Sequence, residues 1–269
     1  MRSITILILA VCACMSSCRN RSAEKKTDTV ISTDADTVVQ EASTQNLVTE
    51  CMDTTVVVTE TDRLRLYKPV FGSVGLSLHP SKADNRVFMA AAAYTRTYTW
   101  TKFDQSLIAG PHIDGEYYAG YDEPANSGAF YYIGSSNRWG FVHDGFEKTL
   151  KEGAAKEGYT SGFSQVMLVY EGKECSIHSN ANPRKLALRR ALCELNGELY
   201  IIDSKREVTM NKFVEFLISE GVKNALYMDM GGMKHSLYKK YNDGDWIEIH
   251  PANAKTKYCT NYLVFYYAN

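Results

Sequence analysis

Apolar and polar positions along this chain fall into short runs rather than long helical stretches. LRLYKPVF (64–71), VGLSLH (74–79), NRVFMAAAAYT (85–95), GAFYYIG (128–134), QVMLVYEG (165–172), GELYIID (197–203), NALYMDM (224–230) and NYLVFYYA (261–268) are rich in aromatic or β-branched residues. Each is bounded by Gly, Asn, Asp or Pro, which is how strands read. TTVVVTE (54–60) offers a further first strand. Asn196-Gly197 supplies the two positive-φ residues of a tight turn, so RRALCEL and ELYIID form an antiparallel hairpin. Helical spacing is clear only over 209–220, where Met210, Phe213, Val214, Leu217 and Ile218 make one stripe, Thr209 caps the start and Gly221 the end. A weaker helix is expected over 146–156, with Gly153 inside it. The order GELYIID, helix, NALYMDM predicts a strand–helix–strand crossover. The expected class is α+β: mixed, largely antiparallel sheets with a few packed helices and that crossover near the C-terminus.

The ends change the picture. Arg2 precedes the apolar run ITILILAVCAC and then MSSC. A basic start, a short apolar core and small residues describe a secretory signal, too short to span a membrane as a mature helix. The small residues before Cys18 resemble a bacterial lipoprotein signal, with Cys18 as the lipidated residue. Cys14 is the rival position, and an ordinary signal peptide with incidental cysteines is the alternative. The expected layout is therefore a signal over 1–17, a tether over 18–62 and a folded domain over 63–269. The tether is rich in Thr, Ser, Asp and Glu and has no aromatic residue, so it cannot offset its ordering entropy by burial. These features predict export to the bacterial cell envelope (outer membrane or periplasm) and membrane contact through an N-terminal lipid.

Net charge is −1, and no basic stripe is interleaved with aromatics, so nucleic acid is not an expected partner. Cys51, Cys175, Cys193 and Cys259 lack any CxxC spacing, which argues against zinc; they permit two bridges or free buried thiols. No metal site and no cofactor is expected.

Candidate chemistry centres on ALYMDMGGMKHS (225–236). Asp229 ends an apolar run, and Gly231 and Gly232 follow. Either the glycines let a ligand approach a fixed carboxylate, or Asp229 closes an Asx-turn. Upstream, strand alternation puts Arg189 with Ala187, Ala191 and Cys193, and Arg190 on the opposite face. A half-buried guanidinium needs an anion: a ligand phosphate, Asp229 or a structural carboxylate. His112 and Asp114 sit in a Gly-Pro-bounded loop that can reach a site or remain solvated. Tyr94 can stack on a sugar ring or fill the core. Lys234 and His235 follow the glycines. Trp100, Trp139 and Trp246 are possible sugar platforms or core residues.

Arg189-Arg190-Ala191-Leu192-Cys193, Asn196-Gly197, Thr209-Met210, Gly221, Asp229-Met230-Gly231-Gly232-Met233 and the closing NYLVFYYA resemble the phosphodiester glycosidase family in order and spacing, over about 163–268. Met230 stands where the family has its first glycine, Met233 where it has serine, Lys212 where an acidic residue is common, and Ala92-Ala93 where Asn-Gly occurs. The resemblance implies hydrolysis of a sugar-1-phosphate diester, with a carbohydrate or sugar-phosphate ligand. It implies catalytic roles for Asp229 and Arg189, and substrate contacts from Arg190, Gly231, Gly232, Lys234, His235, Tyr94, His112 and Asp114. A phosphate leaves without being protonated, so such a site needs positive charge on the phosphate and a carboxylate near the anomeric carbon. A catalytically silent carbohydrate-binding or structural envelope protein on the same scaffold is the competing expectation.

Overall fold

The computed structural model describes residues 53–78, 82, 85–96, 104–232, 234–254, 256 and 261–268. The signal segment, Cys18, Cys51, Cys259, Trp100, Met233 and the tether up to residue 52 lie outside the described residues.

Three sheets carry the fold. The largest holds β1 (Val56–Glu60), β2 (Leu64–Pro69), β10 (Met167–Tyr170), β11 (Lys173–Glu174), β12 (Arg190–Leu195), β13 (Glu198–Ser204) and β14 (Asn224–Tyr227), in the order β1-β2-β13-β12-β14-β10-β11. The second runs β16 (Trp246–His250), β15 (Ser236–Lys239), β4 (Arg86–Ala91), β17 (Asn261–Tyr266), β3 (Ser73–Leu78). The third runs β6 (Glu116–Tyr118), β5 (His112–Asp114), β9 (Tyr159–Gln165), β7 (Gly128–Ile133), β8 (Arg138–Val142). The strand pairs described within these sheets are antiparallel. Val56–Glu60 realises the first strand anticipated at 54–60 and pairs with β2.

The α+β expectation is corrected here. Among the described residues the α-helices are α1 (Phe146–Glu152) and α2 (Met210–Ser219), both short, and the fold is predominantly β. The physical reason lies in the connections. Most strands are joined by tight turns or short loops, and a turn of that length leaves no room for a helix. The crossover itself exists: β13 and β14 both pair antiparallel with β12, so they run parallel to each other with β12 between them and α2 bridging. The weaker helix stays α-helical to Glu152 and widens into a π-turn over Gly153–Glu157.

Alternation along β12 sorts the core. Ala191 and Cys193 face α2, whose Met210, Phe213, Val214 and Leu217 bury against them and against Ile202, Ala225 and Tyr227. Leu192 faces the other way, into a core shared with Phe88, Phe265, Phe130 and Phe163 from the other two sheets. Thr209 Oγ1 accepts the Lys212 N–H at 3.2 Å, and Gly221 takes φ +82°, so both predicted caps close α2. Such an N-cap contributes about 1 kcal/mol. Asn196 and Gly197 take φ +54° and +77° as the hairpin requires.

A candidate active site at Asp229

The chain leaves β14 in a way that places Asp229. The Met228 N–H still donates to Arg190 O (3.0 Å), but the Asp229 N–H donates to Ala92 O (2.8 Å), just past β4. The carboxylate therefore stands where the first sheet hands over to the second. The Asn261 side chain fixes the receiving segment: its Oδ1 accepts from the Ala93 N–H (3.0 Å), and its Nδ2 donates to Ala93 O (2.8 Å) and Thr95 Oγ1 (2.9 Å). This polar clamp holds the Ala93 backbone and the Thr95 hydroxyl on either side of Tyr94.

Asp229 is only 6% exposed. Its Oδ1 accepts the Gly231 N–H at 2.8 Å, an Asx-turn, and its Oδ2 takes no hydrogen bond from a described residue. A Cβ on Gly231 would stand 3.3 Å from that Oδ1, so glycine keeps the turn tight. Burial raises the carboxyl pKa to about 6, and the Gly231 N–H opposes the rise. Among the described residues no ion pair reaches Asp229. The Asx-turn reading of this stretch is thus realised through one oxygen, and the other takes no part in it.

Tyrosines surround the carboxylate. The Tyr94 and Tyr227 rings lie 6.1 Å apart. Burial pushes the Tyr94 phenol up, and the charges of Tyr227 and Asp229 add to it. Tyr121 is pushed up to about 12, by burial and then by Glu123. Backbone bonds hold these residues in place: Ala109 N–H to Tyr94 O (2.8 Å), Tyr121 N–H to Ile108 O (2.9 Å) and Gly110 N–H to Tyr121 O (2.7 Å). Gly120, at φ +65°, permits that approach. Tyr121 and Glu123 also line a cavity of about 380 Å³ that continues past Pro111 to Phe146. The Arg96 guanidinium sits 4.0 Å over the Tyr121 ring.

Arg189 faces this group without pairing with Asp229. Its Nε donates to Val208 O at 3.3 Å and its Nη2 to Lys185 O, and its Cζ lies 5.9 Å from the Tyr227 ring centre. Its charge and a hydrogen bond favour the Tyr227 phenolate, against the burial that raises that phenol.

Arg190 lies on the opposite face. Its Nε and Nη2 donate to Asp203 Oδ1 and Oδ2 at 2.7 and 2.6 Å, and its Nη1 is buried without a partner. His250 Nε2 lies 3.8 Å from Asp203 Oδ2, and burial followed by the Arg190 charge lowers its pKa to about 4. His235 belongs to this side: Nδ1 shares a 2.7 Å hydrogen bond with Tyr262 Oη, and burial lowers its pKa. The Lys234 charge reaches His250, and Gly232 O accepts from Asn253 Nδ2 at 2.7 Å. The expected site residues therefore divide. Asp229, Gly231, Tyr94 and Arg189 form one group; Arg190, Lys234 and His235 form another.

His112 and Asp114 join neither group. The His112 Nδ1–H donates to Gly110 O (3.0 Å), its Nε2 lies 2.9 Å from Gln105 Oε1, and Gln105 Nε2 donates to Asp114 Oδ2 (2.8 Å). These bonds brace the third sheet. Cys175 and Cys193 are free buried thiols. Among the described residues no group of His, Cys, Asp and Glu could hold a metal ion.

Tyr227, Tyr121, Glu123 and Asp203 are the neighbours that the sequence reading did not single out. Asp203 was within reach: with a two-residue turn at 196–197, pairing Leu195 with Glu198 puts Arg190 opposite Asp203. Nothing local marks Tyr121 or Glu123.

No family model and no curated protein matches the chain. Among solved structures it is similar to the catalytic domain of zebrafish N-acetylglucosamine-1-phosphodiester α-N-acetylglucosaminidase, auto-inhibited by its pro-peptide. The TM-score is 0.52 at 13% identity, over 81% of this chain and 83% of that one. A weaker likeness, TM-score 0.46 at 10% identity, links 78% of this chain to 61% of a hypothetical protein from Synechocystis. At 13% identity the property shared with the zebrafish domain is the fold alone.

Proposed function

We propose that this protein is an exported, lipid-anchored hydrolase of glycosyl phosphodiesters, a divergent member of the phosphodiester glycosidase family acting on glycan or envelope material. Cys18 carries the lipid, and the polar segment up to residue 52 spaces the domain from the bacterial envelope membrane. One observation carries the reading: a buried carboxylate with no cation partner, one oxygen open, held near a pKa of 6 beside three tyrosines. A base with that pKa is ionised at neutral pH and still able to take a proton.

In this reading Asp229 takes a proton from water as the water attacks the anomeric carbon. The bond from that carbon to the phosphate oxygen breaks, and the phosphate monoester leaves with the electron pair. The positive potential of Arg189 and Arg96, felt at Tyr94 and Tyr121, favours that departing charge. Arg189 is a positioning residue here, since it acts on Tyr227.

A second reading has its own support. The Arg189 fork is taken up by two main-chain carbonyls, and Met230 is buried among apolar neighbours. That arrangement suits a carbohydrate-binding protein without turnover.

The test is release of free sugar from phosphodiesters of α-linked N-acetylhexosamines by the wild type and by Asp229→Ala. Release by the wild type alone is expected. No release across a broad panel would leave the binding reading in its place.

A further inference from the structure

A cavity of about 520 Å³ lies away from Asp229. It lies at the far end of β15, where the β15–β16 hairpin turns beside the start of β4. We infer that it is a separate subsite for the ring of a neutral sugar, whether or not Asp229 performs chemistry.

Three features of the cavity point to that ligand. The first is a pair of aromatic walls, Trp246 and Tyr267. Trp246 is fixed in orientation: it stands directly opposite Lys239 in the strand register, and the Lys239 ammonium lies 5.5 Å from its ring centre. That lysine is 6% exposed, and its Nζ also donates to Asn242 O at 3.3 Å. Tyr267 is held by its N–H on Asn85 O (2.8 Å) and by its hydroxyl on Asp53 Oδ2 (3.1 Å). Rigid rings of this kind present an apolar face to the C–H side of a sugar.

The second feature is charge balance. The lining holds Lys82 and Lys239 together with Asp243 and Asp245, so its formal charges cancel. A phosphate or a polyanion gains nothing from such a wall, because each cation is offset by a carboxylate. A neutral molecule with many hydroxyls does gain, because the same lining holds both donors and acceptors.

The third is the amide pair, Asn85 and Asn242, which offers both a donor and an acceptor at each position. The volume falls within the range of about 300–1,000 Å³ usual for small-molecule sites. A lining of aromatics and balanced polar groups with little aliphatic surface selects a hydroxylated ring over a lipid or an apolar ligand.

The test uses the purified full chain. Methyl glycosides of glucose, galactose, mannose and N-acetylglucosamine are titrated while the Trp246 indole N–H resonance is followed, with inorganic phosphate as the anionic probe. At least one glycoside should shift that resonance in a saturable way, and phosphate should not. Asp245→Ala, at an exposed position, should weaken binding at least tenfold without lowering the melting temperature, and Asp229→Ala should leave it unchanged. Four results would overturn the inference: no shift with any glycoside up to about 50 mM, a shift with phosphate alone, full affinity in Asp245→Ala, or loss of binding in Asp229→Ala. The last would return the sugar to the Asp229 site.

Discussion

Arg190 and Asp203 stand opposite each other on β12 and β13 and close a two-bond ion pair, with Arg190 wholly shielded from solvent. Removing one partner strands a buried charge. Arg190→Leu or Asp203→Leu should each cost about 3–5 kcal/mol, whereas replacing both with apolar residues should cost much less. Urea unfolding of the two single variants and the double would show it; additive losses would mean the pair is not the unit.

Asp229 makes folding pH-dependent in a direction opposite to that of most carboxylates. Its folded pKa, about 6, lies above its usual 3.8, so the fold prefers it protonated. Its contribution is intact below pH 3.8 and is lost as pH rises through 6. Asp229→Asn stays neutral and keeps an oxygen for the Gly231 N–H. It should match the wild type near pH 3.5 and exceed it by about 3 kcal/mol above pH 6.5. Melting curves across that range test this, and a gap that does not change with pH would remove burial as the cause.

The same carboxylate should set the acid limb of the rate. If Asp229 is the base, kcat/KM falls as pH drops below about 6, where it takes up a proton. An inflection elsewhere, or an unchanged profile in Asp229→Asn, would assign the base to another group.

Gly120 holds the Tyr121 loop against the 108–110 segment, whose Ala109 N–H donates to Tyr94 O. A Cβ there would lie 2.3 Å from Gly110 O and 2.5 Å from Ile108 O, at φ +65°. Gly120→Ala should destabilise by about 1–3 kcal/mol or more and depress activity through Tyr121. Wild-type stability in that variant would show that the loop approaches less closely.

The local rules were legible in the sequence. Thr209, Gly221 and Asn196-Gly197 announce caps and a turn, because those positions need particular side chains or positive φ. The faces of β12 followed from alternation alone. The weight of helix did not: one well-formed helix and a crossover drew the reading toward α+β, while low-contrast strands such as Tyr159–Gln165 and Ser236–Lys239 lacked a clean apolar alternation. Tyr94 was in view, but Tyr121 and Tyr227 were hidden as neighbours of Asp229 because the three rings meet only through the packing of three sheets.

β17 lies between β3 and β4 in the second sheet, pairing Asn261 with Leu78 and Leu263 with Ala90. During synthesis, β3 and β4 must therefore wait with open edges until residue 266 has left the ribosome. The clamp on Tyr94 comes from Asn261, so the receiving segment for Asp229 is completed by the same late arrival. An unfinished chain thus lacks that clamp and is prone to edge-to-edge pairing. Chaperone capture of nascent chains stopped before 261, and release of those extended past 266, would be the cellular trace of that order.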